Sequence, residues 1–257
     1  MNLRKKSKKN RRRSGRIKRK IIFVSTILLT IGAGIVVTMS VFFKIDAVYV
    51  IGDTRYETAD IIKKSGINLG DNLFLCNTEK ISTRLCENLP YLGSVSVERK
   101  IPNEIILKVE ESKACMELSY QGSYVLINKC QKVLERPDDL VPEVILLNGP
   151  TVKCAQVGQP ICFDNPDDSL VMKQILNEIA GEEDKISEVN ISDPSNLFVV
   201  FQNKIKVLLG TPDELNYKFK VAGKIISEKL SNDEEGVLDM SLVSENGRSY
   251  FRNKKIN

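Results

Sequence analysis

The groups in this 257-residue chain that could do chemistry are six cysteines (Cys76, Cys86, Cys115, Cys130, Cys154 and Cys162) and four acidic clusters, and no histidine accompanies them. Without histidine, a His-assisted serine or cysteine nucleophile and every His-ligated metal site are excluded. No two of the cysteines form a Cys-x-x-Cys pair, so neither a thioredoxin-type dithiol nor a zinc site is supported. The acidic clusters are Asp138-Asp139, Asp167-Asp168, Glu182-Glu183-Asp184 and Asp233-Glu234-Glu235. Paired carboxylates can hydrolyse a glycosidic bond. Each cluster, however, falls at a predicted helix end or turn, where solvated caps explain it. No Gly-rich phosphate loop and no Gly-x-Ser-x-Gly elbow is present. The residues therefore call for no cofactor and no metal.

The elements that would position these groups begin with an apolar run. Ile21 to Phe43 carries no charge, and the 20 residues before it hold 12 Lys or Arg and no Asp or Glu. At about 1.5 Å per residue a helix over this run spans roughly 34 Å, enough for a hydrocarbon core of about 30 Å. The basic flank keeps the N-terminus on the cytoplasmic side, and anionic lipid is its nearest partner, ahead of nucleic acid. A cleaved signal peptide would have an apolar core of about 7–15 residues followed by small residues. This run is longer and ends in the bulky Val41-Phe42-Phe43. The expectation is a single transmembrane helix at 21–43, a cytoplasmic tail at 1–20 and everything after it exported. Without the tail's 12 cations, 26 basic residues face 33 acidic ones, so the exported part is acidic although the whole chain is +5.

Lys44 to Gly52 is β-branched and aromatic and reads as a strand. Glu57 to Ser65 has helical spacing and stops at Gly66. Asn77 or Thr78 caps a second helix that runs to about Asn88. Val95–Lys100 and Ile105–Glu110 alternate with period two around a turn at Ile101-Pro102-Asn103. Arg99-Lys100 and Glu110-Glu111 could pair across those strands, a contact worth little if exposed. This gives β-α-α-β-β over 44–112. From 113 to 257 the pattern predicts a mostly antiparallel β domain with two helices. A meander is followed by a strand at 144–147 and a helix opened by Asn165-Pro166-Asp167-Asp168. Strands near 186–191, 197–202 and 204–209 come next. Thr211-Pro212-Asp213-Glu214 reads as a capping box for a helix to about Leu230. Two last strands, 237–243 and 248–252, meet at a turn over Glu245-Asn246-Gly247. The fold class is α+β.

All six cysteines lie beyond the apolar run, and an even exported count suggests disulfides. Cys76 precedes the second helix and Cys86 lies about ten residues along it, so the two should be roughly 13–15 Å apart, beyond the approximately 7 Å that a bridge tolerates. Two pairs remain within plausible reach: Cys115 with Cys130 at one hairpin, and Cys154 with Cys162 across a short loop.

Three stretches carry a family resemblance. Gly70-Asp71-Asn72-Leu73-Phe74, the run from Leu89-Pro90-Tyr91-Leu92 to Glu110-Glu111, and Tyr124–Asn128 with Lys132-Val133-Leu134 resemble the bacterial cell-division family FtsQ/DivIB. In that family they are the helix–helix link and the end of a POTRA domain, then the first hairpin of a β domain. Cys130 departs from the turn residue the family would carry. The resemblance implies a non-enzymatic, single-pass divisome scaffold at the septum of the cell membrane. It would bind FtsL-type and FtsB/DivIC-type coiled-coil proteins and influence septal wall synthesis. It also implies that the C-terminal part of the β domain holds the FtsB/DivIC-type partner. The sequence supplies a route: the final strand, Arg248, Ser249, Tyr250, Phe251 and Arg252, would lie at a sheet edge where another chain can add a strand, the alternative being that its aromatics only close the core. Tyr250 and Phe251 would then lie on opposite faces of that strand. A POTRA-bearing export or assembly factor is the alternative, and a membrane-tethered wall enzyme a more distant one.

Overall fold

The computed structural model describes residues 20, 22–35, 37–38, 41–180, 185–231, 234–243 and 247–253. The basic tail up to residue 19, the cluster Glu182-Glu183-Asp184, Asp233 and the turn residues Glu245 and Asn246 lie outside that set. Residues 22–35, 37–38 and 41–42 are helical. Among the described residues no helix is long and apolar enough to cross a membrane.

Five elements follow in the expected order: β1 (Ala47–Ile51), α1 (Thr58–Ser65), α2 (Thr78–Asn88), β2 (Leu92–Lys100) and β3 (Glu104–Glu111). They build a three-stranded sheet of order β1-β3-β2. β1 runs parallel to β3, with Tyr49 opposite Ile106. The period-two pattern of β3 is met by burial of Ile105, Leu107 and Val109. β2 starts at Leu92, three residues before its alternation becomes visible, because Leu92 itself is fully buried.

Two compact units emerge from the packing. The first comprises Met1–Ile51, Thr58–Ser82 and Ser96–Lys108; the second comprises Gly52–Glu57, Thr83–Val95 and Val109–Asn257. In the first, Ile45, Ile61, Leu73, Ile81, Ile105 and Leu107 are buried. The expected pairing of Arg99-Lys100 with Glu110-Glu111 does not form. Lys100 binds Glu104 at 2.8 Å and Lys108 binds Glu98 at 2.6 Å. The Arg99 guanidinium instead donates to the carbonyls of Leu73 and Cys76. Backbone acceptors left over by the 72–76 loop outcompete a solvated carboxylate.

The second unit contains a nine-stranded sheet of order β14-β13-β12-β11-β10-β7-β4-β5-β6. Its strands are β4 (Met116–Tyr120), β5 (Ser123–Ile127), β6 (Val133–Glu135), β7 (Ile145–Asn148), β10 (Ile186–Asn190), β11 (Leu197–Phe201), β12 (Ile205–Gly210), β13 (Gly236–Asp239) and β14 (Tyr250–Asn253). Most neighbours are antiparallel, but β4–β7, β7–β10 and β12–β13 are parallel. Parallel neighbours need crossovers. Helix α3 (Pro166–Glu178) lies in the connection from β7 to β10, and α4 (Leu215–Lys229) in that from β12 to β13. One hydrophobic core joins the sheet to both helices, with Met116, Val125, Val189, Val207, Met172, Ile175 and Ala222 fully buried.

Helix α3 opens as its sequence requires: the Asn165 side chain accepts from the Asp167 N–H, and Pro166 takes the first helical position. Helix α4 does not. The expected capping box at Thr211–Glu214 is absent, and the helix starts at Leu215 behind a left-handed Glu214. The Thr211 hydroxyl turns to the Asp213 carboxylate. Lys218, almost fully buried, donates from Nζ to the Thr211 carbonyl. A buried ammonium needs an acceptor, and Thr211 supplies it.

Also in the second unit, β8 (Val152–Cys154) and β9 (Cys162–Phe163) form a small hairpin closed by a Cys154–Cys162 disulfide. The other candidate pair is not bonded. Cys115 is buried and its thiol donates to the Ile127 carbonyl, whereas Cys130 is exposed in the turn after β5. The two thiols therefore serve opposite environments. Cys76 and Cys86 are also free, and burial pushes both thiols up. Lys132, in the turn before β6, donates to the carbonyls of Leu92 and Cys86 and so tops the last turn of α2 with a cation. The Tyr91 hydroxyl donates to Glu135 at 2.6 Å, and the Arg55 guanidinium stacks 3.5 Å from its ring centroid. Burial, then the Glu135 bond, pushes Tyr91 up to about 12.

Glu117 is a buried acid on β4 that accepts from the Val141 N–H at 2.9 Å. Burial raises its pKa, and the Val141 bond opposes that only in part. A raised folded pKa gives stability that is complete below the unfolded carboxyl value, about 4.3, and is lost as pH rises through the folded value. Glu117→Gln keeps an acceptor for Val141 and removes the buried charge. The expected outcome is a higher melting temperature at neutral pH and no gain in acid. Thermal melts of both proteins at several pH values check it; equal gain at all pH values would show that Glu117 does not titrate with folding.

Candidate functional site

The C-terminal strand is the candidate. Among the described residues β14 is the last strand, and it forms one end of the nine-stranded sheet. It pairs antiparallel with β13, with Leu238 opposite Phe251 and Asp239 opposite Tyr250. Among the described residues no strand lies on its other side, so one row of its backbone groups faces outward. Such an edge accepts a strand from another chain.

Side-chain alternation assigns the two aromatics different tasks. Phe251 is half-buried and packs on the core, while Tyr250 is 53% exposed. Gly236 makes this possible. A Cβ there would sit 2.6 Å from the Phe251 ring and 2.5 Å from the Arg252 carbonyl oxygen. The ring thus lies over a bare backbone, and β14 approaches β13 closely. Arg248 and Ser249 precede the strand, and Arg252 is exposed on the Tyr250 side. Behind the edge, Asp239 is held by the backbone N–H and hydroxyl of Ser241. Of the five residues expected to hold a partner, Tyr250, Phe251 and Arg252 lie on the strand. Gly236, which spacing did not single out, sets its distance from the sheet.

A cavity of about 770 Å³ lies beside α4 and is lined by Lys185, Lys204, Lys220 and Lys224. Its carboxylates are already committed. Glu178 accepts from the Asn216 amide and Glu234 from the Ser231 N–H. Among the described residues no cluster of ligating side chains could hold a metal ion.

These features define an α+β protein with a POTRA module followed by a sheet whose C-terminal edge is open. The model of the FtsQ-type POTRA domain matches residues 43–112. The chain is similar to the cell division protein DivIB of Clostridium acetobutylicum, 29% identical over 201 residues that cover 78% of this chain and 80% of the relative. It is also similar to DivIB of Clostridium tetani, 26% identical over 78% and 77% of the two chains. FtsQ of Syntrophotalea carbinolica is 25% identical over 64% of this chain and 58% of its own length. The POTRA match and these relatives support the FtsQ/DivIB family of cell division proteins for this chain.

Proposed function

We propose that this cell division protein is a non-enzymatic, single-pass scaffold of the division site. Residues 21–43 cross the cell membrane, 1–20 stay in the cytoplasm near anionic lipid, and 44–257 are exported as a POTRA module to about 112 and a β domain beyond it. The open β14 edge with its exposed Tyr250 is the observation that carries the scaffold reading. An FtsB/DivIC-type coiled-coil protein adds a strand there, and an FtsL-type protein joins the same complex. Through them the chain influences septal wall synthesis.

The span is supported by the helical residues themselves. Ile22, Phe23, Leu28, Leu29, Ile31 and Val37 are all exposed, as side chains facing lipid would be. The hydroxyls of Thr26, Thr30 and Thr38 donate to carbonyls four residues back. That satisfies every one of these polar groups inside the helix, as hydrocarbon demands. The β8–β9 disulfide suits an oxidising, exported location.

The test combines place and topology. A fluorescent fusion to the N-terminus is expected at the septum of dividing cells. A membrane-impermeant maleimide should label exposed Cys130 in intact cells but not a Ser7→Cys variant lacking the other cysteines. Labelling at position 7 without labelling of Cys130 would invert the topology. Uniform fluorescence without septal enrichment would remove the division-site role.

A further inference from the structure

Within the first unit, two loops from distant parts of the chain are tied to the point where the apolar run ends. Segment 70–73 runs antiparallel to 43–45. The Leu73 N–H donates to Phe43 at 2.7 Å, the Ile45 N–H to Asp71 at 2.8 Å, and the Gly70 N–H to Ile45 at 2.8 Å. Lys44 bridges Asn72. The Phe74 ring meets Phe43 edge-on, centroids 4.9 Å apart. The second loop is the β2–β3 turn. The Asp46 N–H donates to the Asn103 carbonyl at 2.8 Å, and the Asn103 amide donates to the Asp46 carboxylate at 2.6 Å. Arg99 joins the two loops by donating to Leu73 and Cys76.

Both loops show large apolar side chains to the outside. Leu69, Leu75 and Ile101 are 69%, 85% and 65% exposed, and Phe74 is 41% exposed. Single exposed apolar residues are ordinary, but a cluster built from two loops beside one helix end marks an interaction surface. The exposed cations Lys44, Arg99 and Lys100 share this end with the carboxylates of Asp46, Asp71 and Glu104. Asp46 is bound by Asn103, Asp71 by Asn68 and Glu104 by Lys100.

We propose that loops 69–75 and 100–103 form a second membrane contact, seated in the headgroup region of the outer leaflet of the bilayer that 21–43 crosses. The inference rests on that proposed span. Covalent continuity selects the occupant. A surface bonded to residues 43–46 cannot be more than a few residues from the level at which the helix leaves the hydrocarbon. Apolar side chains at that level enter the headgroup–acyl boundary by roughly 5–10 Å. Exposed Lys44 then meets lipid phosphate, while Arg99 and Lys100 stay bound to the Leu73 and Cys76 carbonyls and to Glu104. Two loops and one helix end give three attachment points, enough to fix how the POTRA module stands on the membrane rather than letting it swivel on a tether.

The chain has no tryptophan, so a single introduced one reports alone. The full chain is reconstituted in phosphatidylethanolamine–phosphatidylglycerol vesicles containing lipids brominated high on the acyl chain. Leu75→Trp, and independently Leu69→Trp, should lose most of their emission to the bromolipid. Ile51→Trp should not, because Ile51 ends β1 six residues beyond Ile45, roughly 20 Å away. Leu28→Trp reports on the span itself and should be quenched. Quenching at 28 with full emission at both 75 and 69 would overturn the second contact and leave the span standing. Bright but blue-shifted emission at 75 would assign the surface to a protein contact and likewise overturn it. No quenching at 28 would remove the span and this inference together.

Discussion

Tyr250→Ala is expected to cut capture of an FtsB/DivIC-type partner about 30-fold while the melting temperature stays where it was. An aromatic anchor at the centre of an interface contributes about 2 kcal/mol or more on truncation, and 1.4 kcal/mol is a factor of ten. The side chain is 53% exposed and belongs to no part of the core, so its loss should change stability by less than about 0.5 kcal/mol. Gly236→Ala is the companion variant. Its added methyl would meet the Phe251 ring and the Arg252 carbonyl, so β14 must lift from β13. Capture should fall without any change at Tyr250 itself, and hydrogen exchange should rise at 250–253 alone. Pull-down of the purified partner with parallel thermal melts reads both. If Tyr250→Ala binds like the parent, or melts in step with lost binding, the edge is not the contact.

The sequence made the edge legible but not its mounting. The turn-flanked aromatic pair at the C-terminus predicts a terminal strand with one face in and one out; Phe251 is half-buried against the core and Tyr250 is exposed. Period two also marks β3, because Ile105, Leu107 and Val109 each meet the same local environment. What stayed hidden depends on partners far away in the chain. Nothing near Gly236 announces the Phe251 ring that forbids its side chain. Lys132 reads as an ordinary turn residue until the carbonyls of Leu92 and Cys86, some 40 positions back, converge on it. The Thr211–Glu214 segment shows the reverse error. Its local signal is strong, yet buried Lys218 takes the Thr211 carbonyl and the helix begins later. Parallel pairing of β7 with both β4 and β10 likewise leaves no local trace, since crossovers set it rather than turns.

That parallel centre is a place where a single methyl should do heavy damage. Gly149 follows β7 with φ of +116°, a region that residues with a Cβ rarely adopt. Its missing Cβ would overlap the backbone of Ile191 and Ser192. The Ile191 N–H donates to the Asn148 carbonyl at 2.9 Å, continuing the β7–β10 ladder past its end. Backbone cannot step aside as a flexible side chain can. Gly149→Ala therefore combines a strained dihedral, about 1–3 kcal/mol, with separation of strands that join the β4–β6 meander to the β10–β14 half of the sheet. The total should reach about 4 kcal/mol, in the range where a marginally stable domain of about 5–15 kcal/mol loses much of its folded margin. Gly122 supplies the comparison. It too has positive φ, +80°, but open space around it, so Gly122→Ala should cost only the dihedral strain, about 1 kcal/mol. Urea unfolding of the two variants checks the difference. Equal costs would mean that the sheet centre yields, and that the distance between β7 and β10 is not what Gly149 protects. A large cost at Gly149 alone, accompanied by lost partner capture, would tie the open edge at β14 to the integrity of a junction four strand pairs away.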